Sequence, residues 1–116
     1  MTPAIDWSAL ASMLGGNETL AAEIVRKFRQ EYEQDLPALK AALSAQDFDT
    51  ARVLAHRFKG TAANVRAEEV SLAARALELT LSGDDRIAAL PQFNALQLAF
   101  DRLWREVDSR EVGPMY

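Results

Sequence analysis

Apolar residues recur every three or four positions along most of the chain, and this period restricts what the chain can fold into. The clearest stripe consists of Leu20, Ile24, Phe28, Tyr32, Leu36, Leu39 and Leu43. Such spacing places the apolar side chains on one face of an α-helix. No segment shows the strict alternation of apolar and polar residues that is typical of a half-buried strand. The sequence therefore predicts an all-α protein.

Capping and turn residues divide this pattern into one short helix and four longer ones. Asp6, Asn17 and Asp47 stand where a helix N-cap is needed, and Gly15-Gly16 and Gly83 stand where helices should end. We predict a single domain over residues 1–116, with bundle helices at roughly 17–45, 48–65, 67–82 and 86–109 and a frayed tail over 110–116. The connections are short, so the four long helices should form an antiparallel up-and-down bundle, with the additional N-terminal helix as a lid.

Two prolines complicate the helix boundaries. Pro37 leaves a choice between one long kinked helix and two helices broken near Asp35. We favour the kinked helix, because the apolar stripe keeps its phase across the proline. Pro91 should mark a short turn before the main part of the last helix, which Asp84-Asp85 would cap.

Composition excludes several classes of function. The chain has 116 residues, no cysteine and a formal net charge of −4. The absence of cysteine rules out disulfides, thiolate metal sites and a cysteine nucleophile, and it fits a cytoplasmic protein. The net negative charge argues against general nucleic-acid binding. The N-terminal residues lack the pattern of a signal peptide, and no apolar run approaches the length of a membrane span.

The only histidine in the chain, His56, lies in the middle of the third predicted helix. At about 100° per residue, its side chain points roughly 140° away from the apolar stripe of that helix, so it should be exposed. Lys59 follows three residues later, on the same side of the helix. Gly60 comes next, although a glycine inside a helix costs about 0.5–1 kcal/mol relative to alanine, so some close approach should require it. These three residues together indicate a site that could hold a phosphoryl group.

The ten residues around the histidine read Ala55-His56-Arg57-Phe58-Lys59-Gly60-Thr61-Ala62-Ala63-Asn64. They resemble the signature of the histidine-containing phosphotransfer (HPt) domain family, in which a histidine, a lysine three residues on and a glycine directly after it lie on a bundle helix. The resemblance implies a phosphoryl carrier and not an enzyme. Its partners would be response-regulator receiver domains and a hybrid histidine kinase. It also implies a monomer without its own cofactor, since the magnesium that the reaction needs would belong to the receiver.

The same resemblance assigns roles to individual residues. His56 would accept the phosphoryl group, Lys59 would stabilise its charge, and Gly60 would allow a partner to approach closely. Some family members place a carboxylate or amide on the next helix to hold the histidine ring, and Glu78 is the candidate here. Alternatively, Glu78 is an ordinary exposed helix residue. Apart from the resemblance, Ala63 should form part of a flat surface around the imidazole for a partner. Arg52, Arg57 and Arg66 either steer an acidic partner or are ordinary helix surface.

Other functions fit the sequence less well. One histidine without cysteine is too few ligands for a zinc site, and no glycine-rich phosphate loop follows a strand. Histidine kinase dimerisation helices usually carry an acidic residue directly after their histidine, whereas Arg57 stands there in this chain. The main alternative is a non-phosphorylated helical adaptor that binds or inhibits a signalling partner through the same face. The first methionine and the tail are compatible with a free-standing protein.

Overall fold

A computed structural model describes residues 3–111 of the chain, and these residues form five helices and no strand. The helices are α1 (Trp7–Met13), α2 (Glu18–Ser44), α3 (Phe48–Asn64), α4 (Glu68–Ser82) and α5 (Ala89–Glu111). The four long helices form a bundle, and α1 is the short additional N-terminal helix. The predicted fold class is thus confirmed. None of the described helices is both long enough and apolar enough to cross a membrane.

The first three helices begin at the capping residues that the sequence indicated. The side chains of Asp6, Asn17 and Asp47 each accept a hydrogen bond from the backbone amide three residues on, at 2.9, 3.0 and 3.2 Å. Each bond satisfies one of the amides that a helix N-terminus leaves without a partner. The fourth helix begins after Ala67 without a side-chain cap, and its first turn carries two glutamates, which the helix dipole favours there.

Two of the helix ends use a left-handed residue that is not glycine. Gln46 follows α2 with φ 58°, and Arg66 follows α3 with φ 63°. In both cases the next residue donates its amide to the carbonyl five positions back, at 2.8 Å. This arrangement reverses the chain within a few residues, so that consecutive helices pack side by side.

The buried residues of the core are apolar, and a cluster of aromatic rings forms part of it. Phe58 of α3 packs edge-on against Phe100 of α5, with ring centroids 5.0 Å apart. Phe28 and Tyr32 of α2 pack against Phe100 and Trp104 of α5, at centroid distances from 4.7 to 5.9 Å. Burial of these rings contributes to the stability of the bundle, together with that of the aliphatic core residues.

The helix α2 runs without interruption through Pro37, from Glu18 to Ser44. This result decides the choice left open by the sequence in favour of one long helix. The buried residues on either side of the proline, Leu36 and Leu39, continue the apolar stripe into the core. Packing of that stripe therefore outweighs the hydrogen bond that the proline removes.

The start of α5 differs from our expectation. The Asp85 carboxylate accepts a hydrogen bond from the Ile87 amide at 3.1 Å, which forms a turn, and the helix begins at Ala89. The predicted cap at Asp84-Asp85 and the start at residue 86 are thus wrong. Pro91 lies inside the first turn of α5 and does not precede it. A proline is tolerated there because amides of the first turn have no helical partner to lose.

The end of α5 also differs from the predicted fraying over residues 110–116. The helix includes Arg110 and Glu111, and the Arg110 guanidinium lies 4.6 Å from the centre of the Trp7 ring of α1. This contact with α1 gives the last turn a partner that the sequence pattern did not indicate. Residues 112–116 of the predicted tail lie outside the described part of the chain.

The short helix α1 closes one end of the bundle. The Asp6 amide donates to the Arg66 carbonyl at 3.0 Å, and the Ala4 amide donates to the Glu106 carboxylate of α5 at 2.7 Å. Ile5 and Leu10 are buried among the ends of the long helices. These contacts agree with the predicted lid.

Candidate functional site

His56 lies on the outer face of α3. Its side chain is 65% exposed, whereas its neighbours Ala55 and Phe58 are fully buried. The helical spacing predicted this orientation, since burying Ala55 and Phe58 turns His56 away from the core. The imidazole is therefore attached to a rigid helix and accessible to another molecule.

Glu78 of α4 holds one side of this ring. Its Oε2 lies 2.5 Å from Nδ1 of His56, and its side chain is only 15% exposed. The antiparallel packing of α3 and α4 brings the two residues together, and the buried neighbour Leu77 fixes the direction of Glu78. A carboxylate can only accept a hydrogen bond, so this partner assigns the proton to Nδ1. The neutral ring then carries its free lone pair on Nε2.

Lys59 binds the same carboxylate. Its Nζ lies 2.7 Å from Oε1 of Glu78, so that one carboxylate joins the ammonium and the imidazole. The Lys59 hydrogen bond is the main cause that holds the pKa of Glu78 below its ordinary value. Partial burial opposes this effect and raises the pKa, whereas the hydrogen bond from His56 lowers it further. Glu78 is accordingly an anion at neutral pH, compensated by the Lys59 cation.

Gly60 is exposed on the same face of α3. A Cβ placed on Gly60 would have no atom within 4 Å outside the local helix backbone. The close approach that we expected from its mid-helix position therefore does not come from this chain's own packing. The absence of a side chain there leaves a free surface next to His56, and it has no packing role in the described residues.

A contact next to Gly60 in the chain was not indicated by the sequence. The hydroxyl of Ser71 on α4 donates to the backbone carbonyl of Lys59 at 3.0 Å. This bond joins α4 to α3 immediately before Gly60. Because it is made to a backbone atom across two helices, no sequence pattern could have predicted it.

The residues that were predicted to contact or steer a partner do not all lie next to His56. Arg57 turns toward α2 and donates to Asp35 at 3.0 Å, which ties α3 to α2. Ala63 is exposed one turn beyond Gly60, and Arg52 is partly exposed one turn before His56. The Arg66 guanidinium nitrogens lie 2.8 and 3.1 Å from the methionine sulfur at the end of α1, and Arg66 lines a surface pocket together with Ala63. The outer face of α3 thus brings together His56, Lys59, Gly60 and Ala63, and Arg66 lies just beyond the end of this helix.

This geometry limits the chemistry of the site. Neutral imidazole with a free Nε2 is a nucleophile near neutral pH, and the neighbouring ammonium favours negative charge beside it. Among residues 3–111, no group of three or more acidic or histidine side chains is placed to hold a metal ion. The arrangement is therefore suited to receiving an anionic group on a nitrogen at the protein surface.

Comparison with known proteins agrees with the all-helical fold. The family model of the Hpt domain matches residues 23–106, a span that reaches from α2 into α5 and includes His56, Lys59, Gly60 and Glu78. Searches of curated proteins and of solved structures gave no match to the chain. The family match covers well over half of the sequence. The chain thus belongs to the Hpt domain family, whose members are phosphoryl carriers of two-component signalling.

Proposed function

We propose that this protein is a phosphorelay intermediate in which His56 carries the phosphoryl group. A receiver domain with a phosphorylated aspartate would be the donor, and the aspartate of a second receiver would be the acceptor. The observation that supports this proposal most strongly is the imidazole itself: it is 65% exposed, and its Nδ1 is bonded to Glu78. Nε2 is then the nitrogen left to react with a partner.

The transfer step follows from that tautomer. The Nε2 lone pair attacks the phosphorus atom, a nitrogen–phosphorus bond forms, and the bond from phosphorus to the donor aspartate oxygen breaks. The donor leaves as a carboxylate. The proton on Nδ1 stays on the ring, where the Glu78 carboxylate balances the positive charge that the ring acquires. Attack by an acceptor carboxylate reverses these steps and restores neutral His56.

Lys59 stabilises the transferring group. Its ammonium is held next to the ring by Glu78, at 2.7 Å from Oε1. The transferring phosphoryl group carries more negative charge than a single carboxylate oxygen, so the flexible lysine exchanges one anionic partner for the other as the group arrives. Glu78 thereby keeps the Lys59 ammonium close to the imidazole before the phosphoryl group arrives.

Gly60 and Ala63 provide the surface against which a receiver packs. Both are exposed, and a Cβ on Gly60 would touch nothing in this chain. The partner's acidic pocket can then approach the ring without meeting a side chain. Arg52 and Arg57 flank this surface and favour an acidic partner, although Arg57 also pairs with Asp35.

The remaining features of the proposal follow from this role. The protein acts in the cytoplasm as a monomer, and it is a carrier without kinase activity. It needs no cofactor of its own, since the magnesium ion that phosphoryl transfer requires is supplied by the receiver. The hybrid histidine kinase that begins the relay interacts with it through the receiver.

A transfer assay tests the proposal. A receiver domain is phosphorylated with radiolabelled acetyl phosphate, separated from the reagent, mixed with this protein, and the label on each protein is followed with time. The His56→Gln variant should receive no label and keep the helical circular dichroism spectrum. Transfer of label to this variant would show that another residue is the acceptor.

A second pair of variants tests Lys59. We expect Lys59→Ala to slow single-turnover transfer without weakening receiver binding, because the lost cation acts on the transferring group. Lys27→Ala is the matched control, since Lys27 is an exposed lysine of α2. Equal transfer rates for the two variants would remove Lys59 from the mechanism. Stable partner binding without any transfer would instead favour the adaptor function.

A further inference from the structure

The space between α2 and α5 is filled unevenly along the bundle. Toward α1, the rings of Phe28 and Tyr32 pack against those of Phe100 and Trp104, with centroids 4.7 to 5.9 Å apart. Toward the other end, where α2 ends and α5 begins, a groove of about 360 Å³ remains between the two helices. We call this space the α2–α5 groove.

Apolar side chains line the α2–α5 groove and extend beyond it into solvent. Leu43 and Phe48 form part of its lining and are partly buried against the core. Ile87 and Leu90 also line it, and they are 86% and 63% exposed. Within residues 3–111, Ile87 is the most exposed of the large apolar side chains. Exposed apolar residues that converge on one groove are typical of a binding surface.

The charge of the α2–α5 groove is opposite in sign to that of the whole protein. Its charged lining residues are Lys40 and Arg86, and the Arg86 guanidinium lies 4.6 Å from the centre of the Phe48 ring. No carboxylate of the described chain lines the groove. The carboxylates next to lining residues in the sequence are Asp47 and Asp49, on either side of Phe48, and Asp85, before Arg86. Asp47 and Asp85 accept hydrogen bonds from backbone amides. The groove is therefore a basic, apolar surface on a protein of net charge −4.

We propose that the α2–α5 groove binds an amphipathic helix of another protein, with an apolar face and acidic residues along its edges. The walls of the groove are themselves helices, and the lining residues of α5 run from Ala89 to Gln97. At about 1.5 Å per residue, this stretch of α5 spans about 12 Å, or just over two helical turns. A short helix laid between α2 and α5 would cover Ile87 and Leu90, and its carboxylates would meet Lys40 and Arg86.

This site is separate from the one that carries the phosphoryl group. His56 faces outward beside α4, as its bond to Glu78 shows, whereas the groove lies between α2 and α5. A partner bound in the α2–α5 groove would leave His56 open to a receiver. Such a contact would hold this protein near a relay component and raise the effective concentration for transfer.

Binding of designed peptides tests the proposal. The probe is a labelled peptide of about three helical turns, with leucines at helical spacing and glutamates on both flanks. A second peptide carries lysines in place of the glutamates. Fluorescence anisotropy against the full chain should show saturable binding of the acidic peptide and much weaker binding of the basic one. A Lys40→Glu/Arg86→Glu variant should reverse this preference.

Matched substitutions on α5 locate the binding surface. Leu90→Asp should weaken binding of the acidic peptide at least tenfold, the effect expected from losing the burial of one leucine. Leu98→Asp is the control, because Leu98 is 68% exposed on the same helix but does not line the groove. The Leu98→Asp variant should bind the acidic peptide as tightly as the original protein. The His56→Gln variant should do so too, and this result would show that peptide binding does not depend on phosphoryl transfer.

Three results would overturn the proposal. One is the absence of saturable binding, and another is equal loss of binding in the Leu90→Asp and Leu98→Asp variants. The third is a dimer in sedimentation experiments that dissociates on Leu90→Asp, because the groove would then be occupied by a second copy of this chain.

Discussion

Replacing Gly60 by alanine should make the protein more stable and a poorer phosphoryl carrier. Gly60 lies inside α3, and a Cβ there would meet no atom within 4 Å beyond the local helix backbone. The substitution therefore removes only the conformational freedom of glycine, which is worth about 0.5–1 kcal/mol in a helix interior. For a chain of this length, the melting temperature should rise by about 2–5 °C.

The effect on transfer should have the opposite sign. If a receiver packs against the surface between His56 and Ala63, the added methyl group lies inside that interface. Overpacking by one methyl group typically costs about 1–3 kcal/mol, and even the lower value reduces a rate about fivefold. We therefore expect the second-order rate constant of transfer from a phosphorylated receiver to fall about fivefold or more.

Thermal unfolding by circular dichroism and stopped-flow transfer measure the two effects on one variant. Gly83→Ala is the matched control, since Gly83 has φ −98° and an added Cβ would make only ordinary contacts there, the nearest at 3.8 Å. Its transfer rate should equal that of the original protein. An unchanged transfer rate in the Gly60→Ala variant would refute the docking argument. A lower melting temperature of the Gly60→Ala variant would refute the claim that there is room for a methyl group at this position.

Three further results are expected. Glu78→Ala should convert the His56 ring from the Nδ1–H tautomer to a mixture, measured by ring ¹⁵N chemical shifts; an unchanged tautomer would mean that Glu78 does not hold the proton. The pKa of Glu78 is lowered in the folded state, so its contribution to stability is present above the unfolded-state value of about 4.5 and is lost as the pH falls through the lower folded-state value. Urea unfolding across that range should therefore show a steeper loss of stability in the original protein than in Glu78→Gln, and parallel curves would contradict this. Gln46→Gly should raise the free energy of unfolding by about 0.5–1 kcal/mol in the same assay, because Gln46 has φ 58°; a decrease would argue against the left-handed turn.

The parts of the fold that follow from helical spacing could be predicted from the sequence. The exposure of His56 could be predicted from the positions of the apolar residues in α3 alone. When Ala55 and Phe58 face the core, the helical geometry points His56 toward solvent. The caps at Asn17 and Asp47 were predictable too, since a side chain there satisfies amides only a few residues away. These are local interactions, and the sequence contains all that determines them.

Contacts between side chains of different helices could not be predicted in this way. Glu78 was a candidate by resemblance, but its bond to Lys59 depends on how far α3 and α4 are displaced along each other. The same holds for the hydroxyl of Ser71 and the carbonyl of Lys59. The start of α5 was missed for a different reason. An aspartate favours turns as well as helix N-caps, and the Asp85 carboxylate forms a turn by accepting from the Ile87 amide, two residues on.

The most direct test of the account is to locate the phosphoryl group on the loaded protein. The protein is phosphorylated by a receiver and examined by ³¹P and ¹⁵N NMR of its single histidine, with acid and alkali stability measured in parallel. We expect an acid-labile, alkali-stable phosphoryl group on Nε2 of His56, with Nδ1 protonated and bonded to Glu78. A phosphoryl group on Nδ1, or on any residue other than His56, would contradict the account.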